Sequence, residues 1–122
     1  MGIRIEIKGI EEVQKFLKNA NAEKLQKAQE GLNQAGLFIQ GEIVESIAGH
    51  RAEPRSVDTG RFMGSIKKVD IAPLIIGVET NVEYAKFLEY GTSKMEPRMH
   101  FRNTLTREEK KVVGYLKEKI KS

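Results

Sequence analysis

Cysteine and tryptophan are absent from this 122-residue chain, proline occurs only three times, and aromatic residues make up 7% of it. Without cysteine there is neither a disulfide framework nor a thiolate metal site, a composition compatible with assembly in a reducing cytoplasm. No apolar run approaches the ~20 residues that a bilayer-spanning helix needs. The first residues, Met1-Gly2-Ile3-Arg4-Ile5-Glu6, alternate charge with apolar character where a signal peptide would be uniformly apolar. Secretion and membrane insertion are therefore not expected. Internal repeats and low-complexity tracts are also missing.

What remains is a charged, modest-sized chain read as a single domain over residues 1–122, long enough to bury about two-thirds of its unfolded surface. Its net charge of +4 is unevenly spread: the balance is −1 over residues 1–48, +3 over 49–68, −3 over 69–92 and +5 over 93–122. The basic C-terminal part mixes signs, as in Arg107-Glu108-Glu109-Lys110-Lys111, so it reads as a solvated helix face rather than the dense basic stripe of a nucleic-acid binder.

Ile3, Ile5 and Ile7 alternate with Arg4, Glu6 and Lys8, a period-two strand with one buried face. Ile10, Val13 and Leu17 suit a first amphipathic turn or two. Leu25, Ala28, Leu32, Ala35, Ile39, Ile43 and Ile47 then recur at steps of three and four across a long second helix. Gly31, Gly36 and Gly41 within it imply close approach of another backbone, a bend, or a helical dimerisation seam. Residues 49–57 lack periodicity and hold Gly49 and Pro54, so they read as a mobile basic loop. Ser65 to Ala72 and Leu74 to Val82 read as a hairpin about Pro73, offering Ile66, Val69, Ile71, Leu74, Ile76 and Val78 to the core, with a β-bulge or a late strand start near Ile66–Val69. Leu105, Val112, Leu116 and Ile120 align along a C-terminal helix. The resulting class is α+β: a small antiparallel sheet, made of the N-terminal strand and the central hairpin, packed against one long helix and a C-terminal helix.

No catalytic constellation emerges. Asp58-Thr59-Gly60 matches an aspartic-protease loop, but that chemistry needs a second carboxylate loop sharing a proton, so Asp58 or Thr59 reads as a turn or helix cap. The two histidines, His50 and His100, read as solvated loop residues, short of the ligands a zinc site requires. Ser56 or Ser65 as a nucleophile would need a positioned base, and no Gly-x-Ser-x-Gly elbow is present. Gly60-Arg61-Phe62-Met63-Gly64 lacks the lysine of a phosphate loop. No cofactor and no metal are expected, and the chain is not read as an enzyme.

Two punctuated segments carry more information. In Tyr84-Ala-Lys-Phe-Leu-Glu-Tyr-Gly-Thr92, Tyr84, Phe87 and Leu88 share one face of a short helix that Gly91 ends at positive φ. Glu89 reads either as its exposed face or as a partner of Arg61 or Arg98; Tyr84 and Tyr90 read as half-buried packing residues. Upstream stands Val57-Asp58-Thr59-Gly60-Arg61-Phe62-Met63-Gly64-Ser65-Ile66. Together they resemble the tail-completion, or head-tail joining, proteins of long-tailed bacteriophages, a minor tail component family that carries an Asp-Thr-Gly-Arg-like element, a β-hairpin, and a Tyr-Ala…Glu-aromatic-Gly-Thr element in that order. Met95, Arg98 and Phe101 continue the pattern, while His100 stands where a proline is common.

The resemblance implies a virion structural protein, assembled in the host cytoplasm, that docks onto the connector or tail end and forms a ring around the DNA passage. The implied partners are its own copies, as a hexamer, with connector and tail-tube proteins, and the genomic DNA in transient proximity. Arg51, Arg55, Arg61 and Glu89 are the candidate partner-binding residues; Asp58, Thr59, Gly60, Tyr84, Gly91 and Thr92 are the structural motif. The alternative from another class is a small intracellular binding module, for nucleic acid, using the basic loop and C-terminal helix; a hydrolase is the third.

Overall fold

The computed structural model describes residues 2–9, 21–56 and 60–121. The alternating isoleucines form strand β1 (Ile3–Lys8), with Ile3 and Ile7 buried and Ile5 half-buried on one face. Strand β3 (Ile75–Thr80) runs antiparallel to it in the centre of a sheet of order β1-β3-β2, with β2 (Lys67–Ala72) on the far side. The register sets Ile5 opposite Val78 and Ile7 opposite Ile76, so alternate residues of both strands reach the same core.

The hairpin turns at Pro73 and Leu74. Leu74 takes a positive φ of 62°, held by its N–H donating to Gln29 Oε1 at 2.7 Å and its carbonyl accepting from Gly9 N at 2.8 Å. The strands are shorter than the apolar pattern predicts. Ser65 is drawn off the sheet because its N–H and hydroxyl both donate to Phe62 O, closing the preceding turn. Thr80 ends β3 by accepting Val82 N on its side chain. Of the two readings of the Ile66–Val69 spacing the late start holds, with β2 beginning at Lys67, while the β-bulge lies between Asp70 and Ala72 and leaves Ile71 at the exposed edge.

Helix α1 (Ala22–Ile47) starts where Asn21 Oδ1 accepts Lys24 N at 2.9 Å. Its buried stripe runs through Ala28, Leu32, Ala35, Ile39, Ile43 and Ile47. Leu25, expected in that stripe, is exposed, whereas Ala28 is buried against Ile120 of the facing helix α4 (His100–Lys121). Two glycines set the layer spacing. A Cβ on Gly31 would sit 3.1 Å from Tyr115 O of α4, and one on Gly36 would sit 2.9 Å from Ile76 Cγ2 of the sheet. The close approach is thus internal at both, whereas Gly41 faces open space. The amphipathic segment expected at Ile10, Val13 and Leu17 lies outside the described residues.

The single-turn helix α2 (Arg61–Gly64) and the short α3 (Ala85–Tyr90) complete the fold. Helix α3 reverses the expected burial. Tyr84 and Phe87 are 36% and 48% exposed, while Ala85 and Glu89 are buried and Leu88 is half-buried. The reason lies in what Glu89 holds.

Candidate functional site

Both oxygens of Glu89 accept backbone N–H groups at the start of α4: Oε1 from Phe101 at 2.9 Å and Oε2 from Arg102 at 2.9 Å. A helix begins with four unpaired N–H donors and a partial positive charge, and an anion placed there satisfies both needs. Glu89 is therefore the cap of α4, delivered from another helix, and not an exposed residue or a partner of Arg98. Arg98 instead donates from its backbone to Leu88 O at 2.7 Å and from its side chain to Arg55 O and Ser56 Oγ.

The rest of the motif shapes the same junction. Gly91 ends α3 at φ +79°, ψ 177°, with its N–H on Phe87 O. Its ψ is extended, so the left-handed cap expected there is replaced by a conformation open essentially to glycine alone. Thr92 and Met95 exchange backbone hydrogen bonds across the turn into α4. Asp58 and Thr59 lie outside the described residues. Gly60 adopts φ +83°, ψ −5° ahead of α2, and Phe62 of that helix is buried between Tyr84 and His100, with ring centroids 6.0 and 6.1 Å away. The two sequence motifs therefore meet at Phe62.

Beneath this junction runs a polar chain that sequence reasoning missed. Arg98 donates to Ser56 Oγ at 2.9 Å, Ser56 Oγ lies 2.7 Å from His100 Nε2, His100 Nδ1 lies 2.7 Å from Ser46 Oγ, and Ser46 donates to Glu53 Oε1 at 2.6 Å. Because Ser46 gives its only proton to Glu53, His100 Nδ1 must be the donor and Nε2 the acceptor from Ser56. Every bond then points from the guanidinium toward the carboxylate, an order in which neighbours strengthen one another. Arg107 and Asn103 complete the pairing of Glu53. Here a base does stand beside Ser56. The serine oxygen is held by both Arg98 and His100, so the arrangement ties the end of this loop to the start of α4.

The tether holds residues 49–56 down without apolar anchors. Glu53 is 5% exposed, Ser56 N donates to Ile47 O, and Arg51 is bidentate on Glu42. Arg51 thus has an internal partner, and it holds the Glu42 carboxyl below its ordinary range; the Arg55 side chain is exposed. The segregated charges of the sequence are also partly consumed within the fold. Of the acidic segment, Glu79 pairs with Arg4 and Glu89 caps α4; of the basic segment, Arg107 meets Glu53 and Lys111 lies 3.9 Å from Glu108.

Burial pushes the His100 imidazole down to about 4, against the attraction of Glu53 and with the help of Arg98. The hydrogen bonds from Arg107, Ser46 and Asn103 outweigh burial and hold Glu53 below the usual carboxylate range. A histidine kept neutral when folded contributes its full stability above its unfolded value of 6.5 and loses it as pH falls from there toward about 4. The Glu53 contribution is lost only below 4.5. Unfolding at pH 5 should therefore cost about 1–2 kcal/mol less than at pH 7.5. In His100→Asn, whatever its absolute stability, denaturant titrations at the two pH values should converge; an undiminished difference would remove His100 as its source.

Among the described residues no group of histidine, aspartate and glutamate side chains converges to hold a metal ion, and no helix is long and apolar enough to cross a membrane. The fold, the capped junction and the two motifs meeting at Phe62 together define a small α+β structural module. Residues 10–91 match the family model described as "Bacteriophage HK97-gp10, putative tail-component". That span is most of the chain and covers the first motif and the second as far as Gly91, and the protein belongs to this family of phage tail components. It is accordingly a virion structural protein whose partners are other virion proteins. No curated protein and no solved structure matches the chain.

Proposed function

We propose that the protein acts at the head-tail junction: it docks onto the connector or the tail end and forms a ring around the DNA passage, its work being protein-protein docking rather than catalysis. The observation that carries this reading is the family match over residues 10–91, which covers the first motif and the second as far as Gly91. The pairing of Arg107 with the buried Glu53 takes that C-terminal cation out of reach of a phosphate, which supports docking over nucleic-acid binding. Connector and tail-tube proteins are the proposed neighbours, the proposed ring is a hexamer by resemblance, and assembly takes place in the host cytoplasm. Deleting the gene from the phage that encodes it should leave DNA-filled heads and free tails; joined, infectious particles would overturn the proposal.

A closed ring requires two different, complementary patches on each subunit. A joining protein that polymerised before its partner was ready would compete with assembly. The isolated chain should therefore scatter light as a monomer or weak associate at micromolar concentration in moderate salt, and close only on its partner. A stable ring formed alone under those conditions would refute this weak association.

A further inference from the structure

Helix α3 buries its carboxylate and displays its aromatics. Phe87 is 48% and Tyr90 58% exposed, with Lys86 Nζ lying 5.5 Å from the Phe87 ring centroid and the Arg102 guanidinium 5.5 Å from that of Tyr90. Exposed aromatics beside cations are the composition of a binding hot spot, not of a solvated helix. A second unexplained apolar feature lies on α1. Leu37 is 57% exposed in the middle of the stripe Glu30, Gln34, Leu37, Gly41, Glu45, whose steps of three and four residues place it on one face. One turn along, a Cβ on Gly41 would meet nothing within 4 Å, so the helix surface there is notched.

The two surfaces match in sign. One sets the cations Lys86 and Arg102 about two aromatics; the other sets the acids Glu30 and Glu45 about Gln34, Leu37 and Gly41. The spacing agrees too, because Phe87 and Tyr90 are three residues apart on one helix and Leu37 and Gly41 four apart on the other, both about one turn. Glu30 lies 3.8 Å from Lys119, and Glu45 bonds His50; these are exposed pairs of the kind that exchange at little cost.

We propose that the Phe87–Tyr90 ridge of one copy docks on the Leu37–Gly41 face of the next, giving the head-to-tail contact from which the ring is built. The proposal rests on the ring reading and names its interface. One patch on each subunit accepts what the other offers, so the contact propagates without being self-complementary.

The absence of cysteine makes the test clean. Leu37→Cys/Phe87→Cys should be assembled into particles and treated with a short thiol-to-thiol crosslinker, with Gly41→Cys/Tyr90→Cys as a second pair in case the first folds poorly. A lysine-reactive crosslinker in the same particles reports self-association wherever the interface lies. The expected result is a ladder of multimers from the double variants with the thiol reagent and no more than background dimer from Leu37→Cys or Phe87→Cys alone. A lysine ladder with no thiol ladder from either pair would leave the ring standing and overturn this interface, assigning the ridge to a different virion protein. Strong dimers from one single variant would overturn it in favour of a two-fold contact. No ladder with either reagent would remove the ring reading and this inference with it.

Discussion

Gly91→Ala should lower stability by about 3 kcal/mol, roughly 10 °C in Tm, although it adds one methyl group to a surface turn. Two independent effects add. At φ +79° and ψ 177° the backbone occupies a region that L side chains rarely enter. The new Cβ would also stand 2.8 Å from Met95 O and 2.8 Å from Pro97 N, both backbone atoms that cannot swing away. The Thr92–Met95 hydrogen bonds hold that turn in place behind it. Gly60→Ala separates the contributions, since Gly60 has a similar φ of +83° but a Cβ there would meet nothing within 4 Å. It should cost only about 1 kcal/mol. Equal, small losses in both variants, read by thermal or denaturant unfolding, would show that the Gly91 turn gives way and that the crowding carries no penalty.

The elements whose periodicity repeats over many residues were legible: Ile3, Ile5 and Ile7 give β1, and the stripe from Ala28 to Ile47 gives α1, because burial of one face dictates spacing. Short elements were not. In α3 the pattern of Tyr84, Phe87 and Leu88 reads as an apolar face, yet with only six residues a single polar demand, the cap on α4, was enough to rotate the helix. The polar chain left a signal of its own. His100, Thr104 and Glu108 continue at steps of four the stripe formed by Val112, Leu116 and Ile120, and all three are buried. Ser46 likewise interrupts the apolar face of α1 between Ile43 and Ile47. A polar residue at an apolar position marks a buried partner, but not which partner: Glu53 arrives from an aperiodic loop, and nothing in Ala48 to Ser56 distinguishes it from a solvated glutamate. The same limit hid the role of Glu89, whose donors lie 12 and 13 residues away in sequence.

Glu89→Ala should cost about 2–3 kcal/mol, more than an ordinary helix cap, and the reason is burial. A surface cap replaced by alanine lets water reach the freed N–H groups. Here Glu89 is 3% exposed and Phe101, one of the two donors, is 1% exposed, so the freed donors gain little solvation and the first turn of α4 loses its counter-charge. Glu89→Gln keeps an acceptor oxygen of similar shape while removing the charge, and should lose about half as much. Glu109→Ala, on the exposed side of the same helix, should stay within about 0.5 kcal/mol of the parent protein. Hydrogen exchange gives a local readout: the amides of Phe101 and Arg102 should lose protection in Glu89→Ala by more than global destabilisation accounts for, while the amides around Val112 and Leu116 follow the global change. Unaltered protection at those two amides, or a stability loss no greater than that of Glu109→Ala, would show that α4 begins without this carboxylate.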